Sequence, residues 1–150
     1  MPTYLIVAYQ TAAGRPLRDA LDEIMQRSPD AEFRLVVPAT RTQHLFTWTE
    51  GEATAVARAT AESVAGQLRS SGVPLTEVVV GDPDPYSAVR NELTLRPDVD
   101  GLVVSTFPPG ISRWLRRDLP ERLEKETGLP VRHVIVAPGE IAKTAENPMG

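Results

Sequence analysis

The run Ser105-Thr-Phe-Pro-Pro-Gly-Ile-Ser-Arg-Trp-Leu-Arg-Arg-Asp-Leu-Pro-Glu-Arg122 gathers the densest chemistry in the chain. Ser105, Thr106 and Ser112 supply hydroxyls, while Arg113, Arg116 and Arg117 concentrate positive charge. A helix opening at Asp118 would add N-terminal amides, whose partial positive charge favours an anion. A rigid Pro108-Pro109-Gly110 segment would place Ser112 and Arg113 reproducibly. Such donors could hold a phosphate or a carboxylate. Arg116 and Arg117 could equally pair with Glu121 on the surface, so the arginines alone do not decide.

Other chemistry is thinner. No G-x-S-x-G elbow presents Ser105, Thr106 or Ser112 as a nucleophile. His44 and His133 have no acidic or histidine neighbour at metal-ligand spacing, and cysteine is absent, which removes thiolate zinc sites and disulfides. No catalytic residue and no metal are therefore expected. In Asp82-Pro83-Asp84-Pro85 the two aspartates read as turn former and helix cap. Thr11-Ala-Ala-Gly14 lacks both the Gly-Lys-Thr of a P-loop and the spaced glycines of a dinucleotide fingerprint.

Positioning these residues falls to five short, apolar, β-branched runs: Tyr4–Ala8, Phe33–Val37, Leu75–Val80, Gly101–Ser105 and Val131–Ala137. Continuous apolarity suits strands covered on both faces. Between them, Leu17, Ala20, Leu21, Ile24 and Met25 form a helical stripe, as do Ala53, Val56, Ala57, Ala61, Val64 and Leu68. Thr49 and Glu52 stand at capping-box spacing. A third helix starts at Pro85 behind Asp84 and buries Val89 and Leu93. A fourth is announced by Asp118, Pro120 and Glu121 and stopped by Gly128 and Pro130.

Alternating strands and helices predict an α/β, doubly wound, mostly parallel five-stranded sheet with helices on both faces, Rossmann-like in architecture. Ligands of such sheets lie outside the carboxyl ends of the strands. That rule adds Tyr9, Gln10, Thr11, Pro38 and Thr40 to Ser105, Thr106, Gly110, Ser112, Arg113 and Arg116 as the candidate crevice. The long connection 39–49, with His44, Phe46 and Trp48, either caps that crevice or packs back on the domain.

Fourteen prolines among 150 residues would suit a disordered chain, but 41% hydrophobic residues and a net charge of −4 fit a packed domain. One domain is expected over residues 1–137, followed by a tail, 138–150. Twenty acidic against sixteen basic residues argue against a general nucleic-acid binder. No stretch reads as a signal peptide or a bilayer span, so no membrane contact and a cytoplasmic location are expected.

Two stretches resemble a known family. Glu77-Val-Val-Val-Gly-Asp-Pro-Asp-Pro85, followed by a helix and Asp100-Gly-Leu-Val-Val-Ser105, is similar to the second half of a universal stress protein (UspA-like) domain. Leu119-Pro-Glu-Arg-Leu123, Gly128-Leu-Pro-Val131 and Val134-Ile-Val136 resemble that family's closing helix and last strand. The likeness spans about residues 3–137 and is firmest from 75 onward. It implies a UspA-like fold, a homodimer through the last strand with Val131, His133 and Ile135 at the interface, and, in one branch, ATP binding. That branch carries three glycines and then a serine or threonine after the fourth strand, at places where this chain has Ser105, Pro108, Asp118 and Leu119. Pro108 has no N–H for a phosphate, and Asp118 adds negative charge. The family's acidic residue after the first strand falls near Tyr9 or Gln10. The expectation is a small binding or regulatory module, not an enzyme, that does not hold ATP in the family's usual way and needs no cofactor. The alternative is a nucleotide or other small anionic, phosphate-bearing ligand in a rebuilt loop after the fourth strand, with slow hydrolysis.

Overall fold

The computed structural model describes residues 2–8, 14–39, 50–82, 84–106 and 119–136, the side chains of 50–54 and 56 excepted. Along them strands and helices alternate: β1 (Thr3–Val7), α1 (Arg15–Arg27), β2 (Glu32–Pro38), α2 (Glu50–Ser70), β3 (Leu75–Gly81), α3 (Pro85–Leu95), β4 (Gly101–Thr106), α4 (Leu119–Thr127) and β5 (Val131–Ile135). The strands form one parallel sheet in the order β3-β2-β1-β4-β5. This is the doubly wound arrangement expected. The tail 138–150 and the connection 40–49 lie outside the described residues.

Strand alternation assigns each helix to a face. Ile6, Leu35, Val37, Val103 and Val134 pack with Leu17, Ala20, Leu21 and Ile24 of α1 and with Ala61, Val64, Ala65 and Leu68 of α2. Leu5, Val7, Val36, Leu102 and Val104 pack with Ala88 and Val89 of α3 and Leu119 and Leu123 of α4. Both faces of the central strands are thus removed from water, which is why β1 and β4 read as unbroken apolar runs. Each fully buried leucine or valine contributes about 1.5–3 kcal/mol.

The helix stripes fall where their spacing puts them, with Met25 packed at the margin of the α1 stripe. Thr49 and the side chains of Glu52, Ala53 and Val56 lie outside the described residues. The row on α3 differs in part. Ala88, Val89 and Glu92 are buried and Leu93 is half-buried, because Ala88 is the residue set against Gly81 and Val36 and Glu92 follows it by one turn. Glycines end two helices: Gly72 after α2 and Gly128 after α4 take φ of 93° and 72°, the left-handed region that closes a helix.

At β3 the ladder slips by one residue between Phe33 and Arg34. The extra residue is Thr76, whose hydroxyl donates to the Phe33 carbonyl at 3.3 Å. This bulge brings Glu77 opposite Arg34 at the sheet edge. Next to it Arg34 donates twice to Asp98, at 3.1 and 3.0 Å, and Arg96 pairs with Glu77. Among the described residues no helix is long and apolar enough to cross a membrane.

Candidate functional site

The chain leaves β1 through α1 toward β2 and leaves β4 through α4 toward β5, in opposite directions across the sheet. The two connections part at the carboxyl ends of β1 and β4, and that divergence opens the crevice of a doubly wound sheet. Ser105 and Thr106 end β4 there, and Ala8 follows β1, its N–H donating to the Val36 carbonyl at 3.3 Å. Alternation from Val103 and Val104 sets Ser105 on the α1/α2 face and Thr106 on the α3/α4 face. Both are buried, at 0% and 6% exposure.

Thr106 has a partner that the sequence does not reveal. Its Oγ1 lies 2.7 Å from Nε2 of His133, on the neighbouring strand. The Thr106 carbonyl also accepts from the Val136 N–H at 2.8 Å, which prolongs the β4–β5 ladder. Partial loss of water holds the His133 pKa below the usual histidine range, so the neutral ring is favoured. The neutral ring can accept from the Thr106 hydroxyl or donate to it, according to its tautomer. The pair ties the crevice side of β4 to the sheet edge. Among the described residues His133 has no second bonded group to orient it, so the pair lacks the third member of a nucleophile–base–orienter set.

Of the other crevice residues, Pro38 ends β2 opposite Gly81 of β3. It shares the carboxyl edge with Ser105 but stands two strands away, about 10 Å at ordinary strand spacing. Tyr9, Gln10, Thr11, Thr40, Gly110, Ser112, Arg113 and Arg116 lie outside the described residues, as do Arg117 and Asp118. The interface candidates share one side of β5. Val134 belongs to the α1/α2 core and Arg132 pairs with Glu23 of α1, so Val131, His133 and Ile135 stand on the α4 face. Ile135 is 49% exposed.

The aspartates after β3 serve the backbone, as their spacing predicts. Asp82 accepts from the Asp84 N–H at 2.9 Å, and Asp84 caps α3 by accepting from the Ser87 N–H at 3.2 Å and the Ser87 hydroxyl at 2.8 Å. Beside that cap Tyr86 donates to Glu126 of α4 at 2.8 Å, and the Arg122 guanidinium lies 3.7 Å over its ring. This clasp ties the first turn of α3 to two residues one turn apart on α4.

A cleft of about 480 Å³ is lined by Arg15, Arg18, Asp19, Asp22, Ser71 and Val73. None of the predicted site residues lines it, and its two arginines face two aspartates, so it holds no net charge to attract an anion. The cleft is therefore not the crevice to which the strand-end rule points.

No family model matches the chain, and no curated protein matches it. Solved structures do. A universal stress protein from Archaeoglobus fulgidus superposes with a TM-score of 0.60 at 17% identity, covering 89% of this chain and 98% of that one. The Archaeoglobus fulgidus protein in complex with dAMP gives 0.59 at 18% identity, over 89% and 97% of the two chains. An Arabidopsis thaliana universal stress protein with AMP bound gives 0.53 at 15% identity, over 100% of both. The fold is that of universal stress protein structures, as the resemblance in β3–β5 implies.

Proposed function

We propose that this chain is a cytoplasmic regulatory module of the universal stress protein type, acting by binding and not by catalysis. Its ligand is a nucleoside monophosphate, held at the carboxyl ends of β1 and β4, and its assembly is a homodimer through β5. The observation that carries this reading is the divergence of the chain at β1 and β4 with Ser105 and Thr106 at its margin. Structures with the same fold hold AMP and dAMP, which supports the ligand class. The sequence after β4 supports the distinction from a triphosphate. With Pro108 and Asp118 at two of the glycine places, the loop loses one backbone N–H that could meet a phosphate and gains a repelling charge.

A thermal-shift panel of AMP, dAMP, ATP and inorganic phosphate tests the reading. Ligand at 100 times its Kd stabilises by about 2.7 kcal/mol, which for a chain of this size raises Tm by about 5–10 °C. AMP is expected to shift Tm at least as much as ATP, and Ser112→Ala with Arg113→Ala to reduce the shift. A response to ATP alone would place the γ-phosphate in the site and overturn the distinction. No response to any nucleotide would leave a module that works through dimerisation alone.

A further inference from the structure

Among the described residues β5 pairs with β4 along one side and forms the end of the sheet on the other, so its outer N–H and C=O groups face away from the ladder. A second copy could meet it about a two-fold axis normal to the sheet, which makes the two β5 strands antiparallel and keeps each face continuous across the interface. Residues directly opposite must then come from the same face, so the axis passes through a residue and not between two. Centring on Arg132 would oppose two guanidiniums and leave Val134 and Ile135 without partners. Centring on Val134 would leave Val131 and Arg132 without partners. Centring on His133 pairs all five residues of Val131–Ile135. Val131 then meets the partner's Ile135 at each end, apolar against apolar, and His133 meets the partner's His133 in the middle.

We propose that pH gates this dimer through His133: the neutral rings pair across the two-fold axis, and protonation drives the copies apart. The inference rests on the β5 dimer proposed above. Opposed Cβ atoms in an antiparallel pair stand about 5 Å apart, close enough for two imidazolium charges to repel strongly once neighbouring strands exclude water. His133 is not free to swing away, because its Nε2 is already engaged by Thr106 at 2.7 Å. Partial desolvation within one copy already disfavours its charged form, although the side chain stays exposed there.

No charged group is bonded to His133 among the described residues. From β4 the facing group is the uncharged Thr106. On α4, Glu126 is bonded to Tyr86 and Arg122 lies over that ring, both on the side toward α3, which leaves Glu124 as the charged residue whose helical position is nearest the outer edge of β5. On the opposite face Glu23 of α1 is paired with Arg132. Among the described residues no carboxylate bonds to the imidazole. Protons therefore bind the separated copies better than the dimer, and the dimer Kd rises as pH falls through the pKa of His133 in the monomer. With two histidines excluded from protonation, Kd rises about a hundredfold one pH unit below that pKa. General charge acts the other way: a chain of net charge −4 becomes less negative on acidification, so its copies repel less.

Sedimentation or light scattering on the full chain, from about pH 8 to about pH 5, reads the effect where histidine titrates. The expected result is a dimer of the 16.4 kDa chain that dissociates on acidification while circular dichroism stays folded. His133→Gln is expected to dimerise without that pH dependence, and His44→Gln to keep it. A dimer whose strength is constant or increases on acidification overturns the gate and spares the dimer. Retention of the pH dependence in His133→Gln does the same. A monomer at about pH 8 overturns the dimer and the gate together. Should His133→Gln not fold, NMR titration of His133 in the natural chain decides: its pKa must fall as protein concentration rises through the dimer Kd, and a concentration-independent pKa sinks the proposal.

Discussion

A Cβ added to Gly81, the last residue of β3, would lie 2.8 Å from the Ala88 Cβ and 3.1 Å from the Val36 Cγ2. Glycine is what lets α3 settle this closely on the sheet edge. Gly81→Val should therefore destabilise the chain by about 1–3 kcal/mol through overpacking. Gly66, exposed in the middle of α2 with nothing within 4 Å of the place an alanine methyl would take, is the control. Gly66→Ala should stabilise by about 0.5–1 kcal/mol, since alanine holds a helix better. Urea midpoints of the two variants should move in opposite directions. A neutral Gly81→Val would show that α3 can retreat.

Removing the α3 cap has a graded outcome. Asp84→Ala loses the acceptor for the Ser87 N–H and should reduce stability by about 0.5–2 kcal/mol, whereas Asp84→Asn keeps an acceptor and most of the stability. Equal losses in the two variants would assign the effect to charge instead of to the cap.

The two hydrogen bonds from Arg34 hold the Asp98 carboxyl below its ordinary pKa, aided by the nearby charges of Arg34 and Arg96. A carboxyl depressed in the folded state binds protons more readily when unfolded. Its stabilisation is thus full above the unfolded-state pKa and fades as pH falls through the folded-state value. Asp98→Asn should lower the urea midpoint at neutral pH, and the gap from the natural chain should close in strong acid. A gap that persists at all pH would mean that packing, not ionisation, supplies it. Asp98 is exposed, so salt should also narrow the gap.

Arg122 over the Tyr86 ring offers a pairwise measurement. A double-mutant cycle of Arg122→Ala and Tyr86→Leu should return a coupling of about 0.5–1 kcal/mol, the range for an exposed cation–π pair. Zero coupling would mean that the guanidinium finds equal company in solvent.

Much of this architecture is legible in one dimension because it is local. Leu17, Ala20, Leu21 and Ile24 announce α1 by spacing, and Asp84 with Pro85 announces the start of α3, since cap and first turn lie within a few residues. The apolar runs of β1 and β4 are legible because a strand covered on both faces has no polar alternation to hide it. Leu93 reads as a core residue where Glu92 is the more buried, because apolar spacing gives a helix its stripe and not its rotation over the sheet. The crevice is legible as a place, through Ser105 and Thr106 at a strand end.

What the sequence by itself determined is the alternation of elements, and with it a parallel, doubly wound sheet: periodicity and caps depend on neighbours in the chain. Tertiary structure decided the pairings between residues far apart along it. His133 reads alone as an edge histidine, and Thr106 as one hydroxyl among several. Register across β4 and β5 places them 2.7 Å apart, and Arg34 reaches Asp98 only after β2, β3 and α3 have assembled. Strand order and register arise from the packing of whole faces, so partners chosen by them leave no mark in the spacing of either residue.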